Sequence, residues 1–210
     1  MEKEKEKMKN KFMKKLAVLF TAATLACSSA PAYAAVPAVT ETVQVEAATA
    51  TKLNTTLKKE LDKVIKAQKF TSKTTDKQKL QKLFNYTKKA FGYKRYMGVP
   101  SASGWDSQFA KEMLKTKSGS CYHDAAAFAY LARRATGLPV RICIGTSNAF
   151  NAARWQNHGW VEIKVSGKWY TFDTNANRFS SLRKGKWFMQ KRTAMEGKVY
   201  KTQKTYSVNF

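Results

Sequence analysis

Acidic residues are scarce in this chain and histidines scarcer. Of 210 residues, 14 are Asp or Glu against 39 Lys or Arg, and only two are His, three Cys and four Pro. The shortage of carboxylates argues against a calcium site. After Cys121 they are Asp124, Glu162, Asp173 and Glu196, too dispersed to surround one ion with oxygens. No metal and no cofactor is expected. A long apolar run is missing too: Leu16 to Ala26 is too short to span a bilayer as a helix. No internal repeat is visible, and no nucleic-acid module organises the lysines, so no specific nucleic-acid partner is expected. The length allows one domain with a real core and is too short for two large ones.

What is present begins with charge. The formal balance is +25. Lys-rich residues 1–15, the apolar run and the small-residue stretch ending Ala32-Tyr33-Ala34 describe a secretory signal peptide over residues 1–34, cut after Ala34. These 34 residues hold seven Lys and three Glu, so +21 stays on the remainder. A field of that size suits anionic partners, cell-wall polymers among them, although a solvated lysine coat gives the same count. The expected location is outside the cell, with retention at the cell surface a further option and no transmembrane segment after cleavage. Residues 35–50, rich in Ala, Val, Thr and Pro without periodicity, are expected to be a flexible spacer. Residues 51–210 then form the domain.

Helical spacing marks Leu53, Leu57, Leu61, Val64 and Ile65, then Leu80, Leu83, Phe84, Thr87 and Phe91 behind a Thr74-Thr75-Asp76 cap. Gly92 is read as the end of that second helix. A short helix over Asp106 to Lys115 delivers the chain to Gly119. From Cys121 a strongly helical run follows, with Ala125, Phe128, Ala129, Ala132 and Ala135 on one buried face and Gly137 and Pro139 as the stop. Cys121 therefore stands at a helix N-terminus, where unpaired amide N–H groups and the helix dipole favour a thiolate. Cys143 lies in a strand from Val140 to Gly145. In an oxidising compartment these two cysteines could form a disulfide, which would disarm the thiol.

His158 to Asp173 reads as a hairpin about Ser166-Gly167. Across a two-residue loop Val165 faces Lys168, Ile163 faces Tyr170 and Val161 faces Phe172. Trp160 then opposes Asp173, and His158 and Asp173 become diagonal neighbours on one side of the sheet. A slip of one residue would bury an unpaired Asp173 carboxylate among apolar side chains, which is costly. Trp187 to Gln190 and Val199 to Phe210 are expected to be further strands, separated from the hairpin by a basic turn at Arg183, Lys184, Gly185 and Lys186. Of the two histidines, His123 is two positions beyond Cys121 on the same helix and points away from it. His158 remains. A thiolate, an imidazole to pair with it and protonate a leaving amine, and a carboxylate to orient the ring make the set that thiol catalysis needs.

The stretch GSCYHDAAAFAYLARRATGLPVRICIG, followed by HGWVEI and GKWYTFD, resembles the transglutaminase-like core of the papain-like superfamily, in its bacterial secreted type. The likeness covers about residues 80–175. It implies an α+β fold, a helical layer with the Cys-bearing helix packed on an antiparallel β-sheet. It implies Cys121 as nucleophile, His158 as base and acid, and Asp173 as the residue that orients the ring. An oxyanion site would use the backbone N–H of Cys121 and an upstream donor, Trp105 or Gln108, with Tyr122 and Trp160 at the substrate rim. The expected chemistry is acyl transfer or hydrolysis at an amide of a protein or peptide, through a thioester. The rival expectation is a non-catalytic basic module that binds the cell wall with the same fold.

Overall fold

The computed structural model describes residues 44–46, 52–182 and 186–210. The signal peptide, all but three residues of the expected spacer, and Arg183, Lys184 and Gly185 of the basic turn lie outside the described residues.

Among the described residues fourteen elements follow one another: β1 (Gln44–Glu46), α1 (Thr55–Ala67), α2 (Asp76–Ala90), β2 (Gly92–Tyr93), α3 (Trp105–Thr116), β3 (Ser118–Gly119), α4 (Cys121–Thr136), β4 (Val140–Ser147), β5 (Gln156–Val165), β6 (Lys168–Phe172), α5 (Thr174–Phe179), β7 (Gln190–Lys191), α6 (Arg192–Met195) and β8 (Tyr200–Ser207). The fold is α+β. Six strands make one sheet in the order β1-β8-β4-β5-β6-β7, antiparallel except for the parallel edge pair β1 and β8. Part of the stretch expected to be a spacer is thus a strand. Gln44, Val45 and Glu46 pair with Lys204, Thr205 and Tyr206.

Local chemistry explains the helix boundaries. Asn54 caps α1 by accepting from the amides of Thr56 and Leu57, and Thr75 caps α2 in a reciprocal box with Gln78. The second helix stops at Ala90 rather than at Gly92. Gly92 and Tyr93 instead pair in parallel with Ser118 and Gly119, tying the segment after α2 to the approach to α4. At the far end of α4, Gly137 takes φ +69 and its N–H returns to the Arg133 carbonyl, a left-handed cap that glycine tolerates best.

The periodicity of α4 suggests one buried face, but every residue from Cys121 to Ala132 is buried. The helix is packed by α1, α2 and α3 as well as by β4 and β5. Ala125, Ala126, Ala127, Ala129 and Ala132 make that possible, since small side chains let neighbours approach on every side. Phe128 of α4 meets Phe84 of α2 edge-on at 5.6 Å and Phe172 of β6 at 5.7 Å, joining helical layer to sheet. Burying such a ring is worth about 1.5–3 kcal/mol.

The hairpin has the register that its turn dictates: Val161 faces Phe172, Ile163 faces Tyr170 and Val165 faces Lys168. β6 ends at Phe172, so Asp173 leaves the ladder and caps α5 instead. The expected strand at Trp187–Gln190 is different. Only Gln190 and Lys191 pair, after a break at Met189 with φ +51, and a turn of helix follows. Trp187 is apolar because it is a buried plug, 1% exposed and 6.4 Å from the Tyr200 ring, rather than because it belongs to a ladder. The last expected strand runs from Tyr200 to Ser207.

Candidate active site

Two glycines shape the start of α4. A Cβ on Gly119 would lie 2.5 Å from Cβ of His123, because that histidine folds back over the helix start. His123 Nδ1 lies 3.1 Å from Ser120 Oγ, its Nε2 lies 3.3 Å from Glu112 Oε2, and its ring stacks on Phe109 at 3.9 Å. Burial holds His123 below the usual imidazole range despite Glu112. His123 thus anchors the loop before the thiol and is turned toward α3. The second glycine is Gly159 on β5, where a Cβ would meet the Tyr122 ring at 2.7 Å. The G-x-C and H-G-W spacings are therefore packing requirements between the thiol helix and the strand of His158.

Cys121 is the first residue of α4 and 8% exposed, the opening being a groove of about 590 Å³. His158 lines the same groove, and its ring interacts electrostatically with the Cys121 side chain. On its other side Nε2 lies 2.7 Å from Asp173 Oδ2, which leaves Nδ1 as the ring nitrogen for the thiol. Burial pulls the ring toward its neutral form. The charges and hydrogen bonds of Asp173 and Cys121 outweigh that and carry the pKa of His158 up to about 10. The ring is therefore an imidazolium at neutral pH.

Asp173 is itself held from three directions. Its Oδ1 accepts from the Ala176 amide at 2.7 Å, and its Oδ2 accepts from Tyr200 Oη at 2.8 Å as well as facing His158. The Tyr200 ring stacks on Trp160 at 4.5 Å, and Trp160 lies nearly parallel to His158 at 6.3 Å. Trp160 is 1% exposed and belongs to the floor beneath the site rather than to an open rim.

One turn along α4 from the thiol stands a buried carboxylate that the sequence reading left without a role. Asp124 Oδ2 accepts from Asn175 Nδ2 at 2.9 Å and from Arg178 Nη2 at 2.6 Å. Burial pushes this carboxyl up to about 7 against the pull of Arg178 and Asn175. Asn175, nearly buried, lines the groove with Cys121 and His158. The cluster fastens α5, and with it the cap at Asp173, to the thiol helix. A signal existed in the sequence: Asp124 follows Cys121 by three positions, and Asn175 and Arg178 follow Asp173 by two and five.

Of the other candidates, Tyr122 lines the groove. Burial first, then Cys121 and Tyr93, pushes its phenol up to about 12, so it is a neutral hydroxyl. Trp105 and Gln108 lie elsewhere. Trp105 packs on Phe109 and Tyr206 and lines a separate hollow with Tyr130 and Phe210. Gln108 donates to Glu112 at 2.8 Å. Neither lines the groove onto which Cys121 opens. Cys121 and Cys143 are free thiols, both buried. Among the described residues no group of three metal-ligating side chains is found, and no helix is long and apolar enough to cross a membrane.

Comparison with known proteins adds a family. The sequence profile described as Transglutaminase-like superfamily matches residues 64–174, more than half of the chain. No curated protein sequence matches. Several solved structures are similar at a distance. The first, from Cytophaga hutchinsonii and titled as a candidate cysteine protease, shows 17% identity and a TM-score of 0.44, covering 73% of this chain and 48% of that one. The periplasmic domain of TgpA from Pseudomonas aeruginosa shows 22% identity and a TM-score of 0.39, covering 58% and 42%. A structure titled as a TGase shows 19% identity and a TM-score of 0.36, covering 57% and 30%. The chain thus spans less than half the length of each of these structures.

Proposed function

The chain belongs to the transglutaminase-like superfamily, and from that premise we propose that it is an exported thiol enzyme that opens amide bonds through a thioester. The observation that supports this most directly is the His158 ring, held on Nε2 by Asp173 and sharing one groove with Cys121. The Cys121 thiolate attacks the amide carbonyl carbon and pushes the π electrons onto oxygen. His158 gives its proton to the departing nitrogen, the C–N bond breaks, and ammonia or an amine leaves a thioester on Cys121. His158, now neutral, takes a proton from the incoming nucleophile. Water yields an acid and restores the thiolate; an amine yields a new amide.

Asp173 keeps the ring in register and offsets its charge. As the first residue of α4, Cys121 has a backbone N–H without an intrahelical partner, one donor for the oxyanion. Export rests on residues 1–34. Lysines on α1 and α2, Lys58, Lys59, Lys63, Lys66, Lys77 and Lys82 among them, present exposed positive charge suited to anionic wall polymers.

The test is alkylation of Cys121 by iodoacetamide at neutral pH, mapped by peptide mass, beside a screen of glutamine donors with a labelled amine and of peptide cleavage. Modification of Cys121 that is lost in His158→Ala, with turnover in one arm of the screen, is the expected result. A thiol inert from pH 6 to 9, where the ring is charged, would overturn the proposal.

A further inference from the structure

Large apolar side chains on the surface are concentrated at one place. Among the described residues five are exposed, and four of them, Tyr93, Tyr96, Met97 and Phe179, line the groove that opens onto Cys121. Met97 is 78% exposed and the other three are about half exposed. Exposed apolar residues scattered singly need no explanation, but a cluster around a reactive group marks a surface meant to be covered. Two walls are braced. Tyr93 meets Phe179 edge-on at 5.6 Å, and Tyr96 is edge-on to both Phe109 at 5.3 Å and His123 at 5.4 Å. These rings are therefore set before any ligand arrives, which lowers the cost of binding.

The charge at this groove has one sign. Arg95 lines it and forms no ion pair among the described residues. Asp124 and Asp173, the carboxylates close to the sulfur, are 1% and 2% exposed and already bonded, to Arg178 and Asn175 in one case and to His158, Tyr200 and the Ala176 amide in the other. Among the described residues no carboxylate lines the groove to receive a cation.

We infer that the acyl donor is a peptide segment carrying a large apolar side chain beside the reacting amide and a carboxylate within reach of Arg95, and that a basic residue at either place is rejected. This rests on the reading of Cys121 as the nucleophile and adds the substrate class. The apolar side chain enters between the braced rings and Met97. The carboxylate meets the guanidinium at the groove's edge, where no protein anion competes.

The experiment uses the full chain and peptidyl chloromethyl ketones, which alkylate the thiol whatever nucleophile resolves the acyl-enzyme. Acetyl-X-Gly probes with X as Phe, Ala or Lys are compared with acetyl-Glu-Phe-Gly and acetyl-Lys-Phe-Gly, each rate of Cys121 modification being divided by that of iodoacetamide. The Phe probe is expected to exceed the Ala probe by about 10-fold or more, with Lys the slowest. The Phe-to-Ala ratio falls toward one in Phe179→Ala and in Met97→Ser. The Glu-leading probe exceeds the Lys-leading one, the gap narrows at about 0.5 M NaCl, and Arg95→Glu reverses it. Equal normalised rates across X, or an order untouched by Arg95→Glu, overturn the inference while leaving the nucleophile intact. If iodoacetamide itself fails to modify Cys121, the thiol chemistry fails. The groove is then read by binding of acetyl-Glu-Phe-Gly amide against acetyl-Lys-Ala-Gly amide, followed by amide NMR shifts of residues 93–98. Selective binding of the first sustains the recognition surface; equal binding overturns it.

Discussion

Tyr200 donates to Oδ2 of Asp173 at 2.8 Å, the same oxygen that faces His158 Nε2 at 2.7 Å. The carboxylate is thereby fixed by a residue 27 positions further along the chain. Tyr200→Phe removes the donor and keeps the ring stack on Trp160. A hydrogen bond to a charged group is worth about 1.5–3 kcal/mol, so the expected loss of stability is of that order, measured by urea unfolding. With the carboxylate less constrained, the rate of Cys121 alkylation at neutral pH should fall by about 10-fold with an unchanged far-UV spectrum. A rate equal to wild type would mean that the hydroxyl braces the fold and not the ring.

The pH dependence follows from His158. Its folded pKa, about 10, lies above the ordinary imidazole value of 6.5, so its contribution to stability is complete below pH 6.5 and is lost as pH rises through 10. Melting temperature should therefore decline on the alkaline side over that window, and less steeply in His158→Gln. Alkylation of Cys121 should show no inflection near pH 6.5 from its partner ring. An inflection there that disappears in His158→Gln would show an ordinary imidazole.

Gly119 and His123 make a coupled pair, because a Cβ at 119 has no room while the imidazole lies across it. The His123 ring is stacked on Phe109 and cannot yield cheaply. Gly119→Ala should cost about 1–3 kcal/mol, as overpacking does, and slow labelling of Cys121 by displacing the helix start. Gly119→Ala with His123→Ala should recover part of the loss, giving a favourable coupling in a double-mutant cycle of about 1 kcal/mol or more. Strict additivity would place the strain elsewhere.

Cys143 is fully buried beside Glu162, and burial, reinforced by that carboxylate, pushes its thiol up. In the native chain it should resist iodoacetamide at pH 8 while Cys121 reacts, and it should become reactive on unfolding in guanidinium. Peptide mapping distinguishes the two positions. Modification of Cys143 at the rate of Cys121 would indicate local opening of β4.

The hairpin was readable from sequence because a two-residue turn and strict alternation leave a single register that keeps Asp173 out of the apolar face, and that register is the one found. The start of α4 was readable for a similar reason: small residues before it and a helical run after it are local signals. The bracing of Asp173 was not. Tyr200 reaches it through a strand pairing of β8 with β4, and long-range pairing leaves no mark at either residue. The groove walls were hidden as well, since Tyr93, Tyr96 and Met97 fall in a segment with almost no periodicity. Trp105 and Gln108 were assigned from their position ahead of the thiol, which does not reveal that their helix face turns toward Tyr206 or Glu112.

Among the described residues β8 comes after every other strand in sequence, yet it sits inside the sheet between β1 and β4. During synthesis the sulfur, the ring and the carboxylate all emerge well before the strand that completes β4's ladder and supplies the hydroxyl on Asp173. A nascent chain would therefore carry its reactive parts unassembled until β8 docks. Nonsense mutations before Tyr200 should leave a species without the finished centre, so β8 serves as the keystone of assembly.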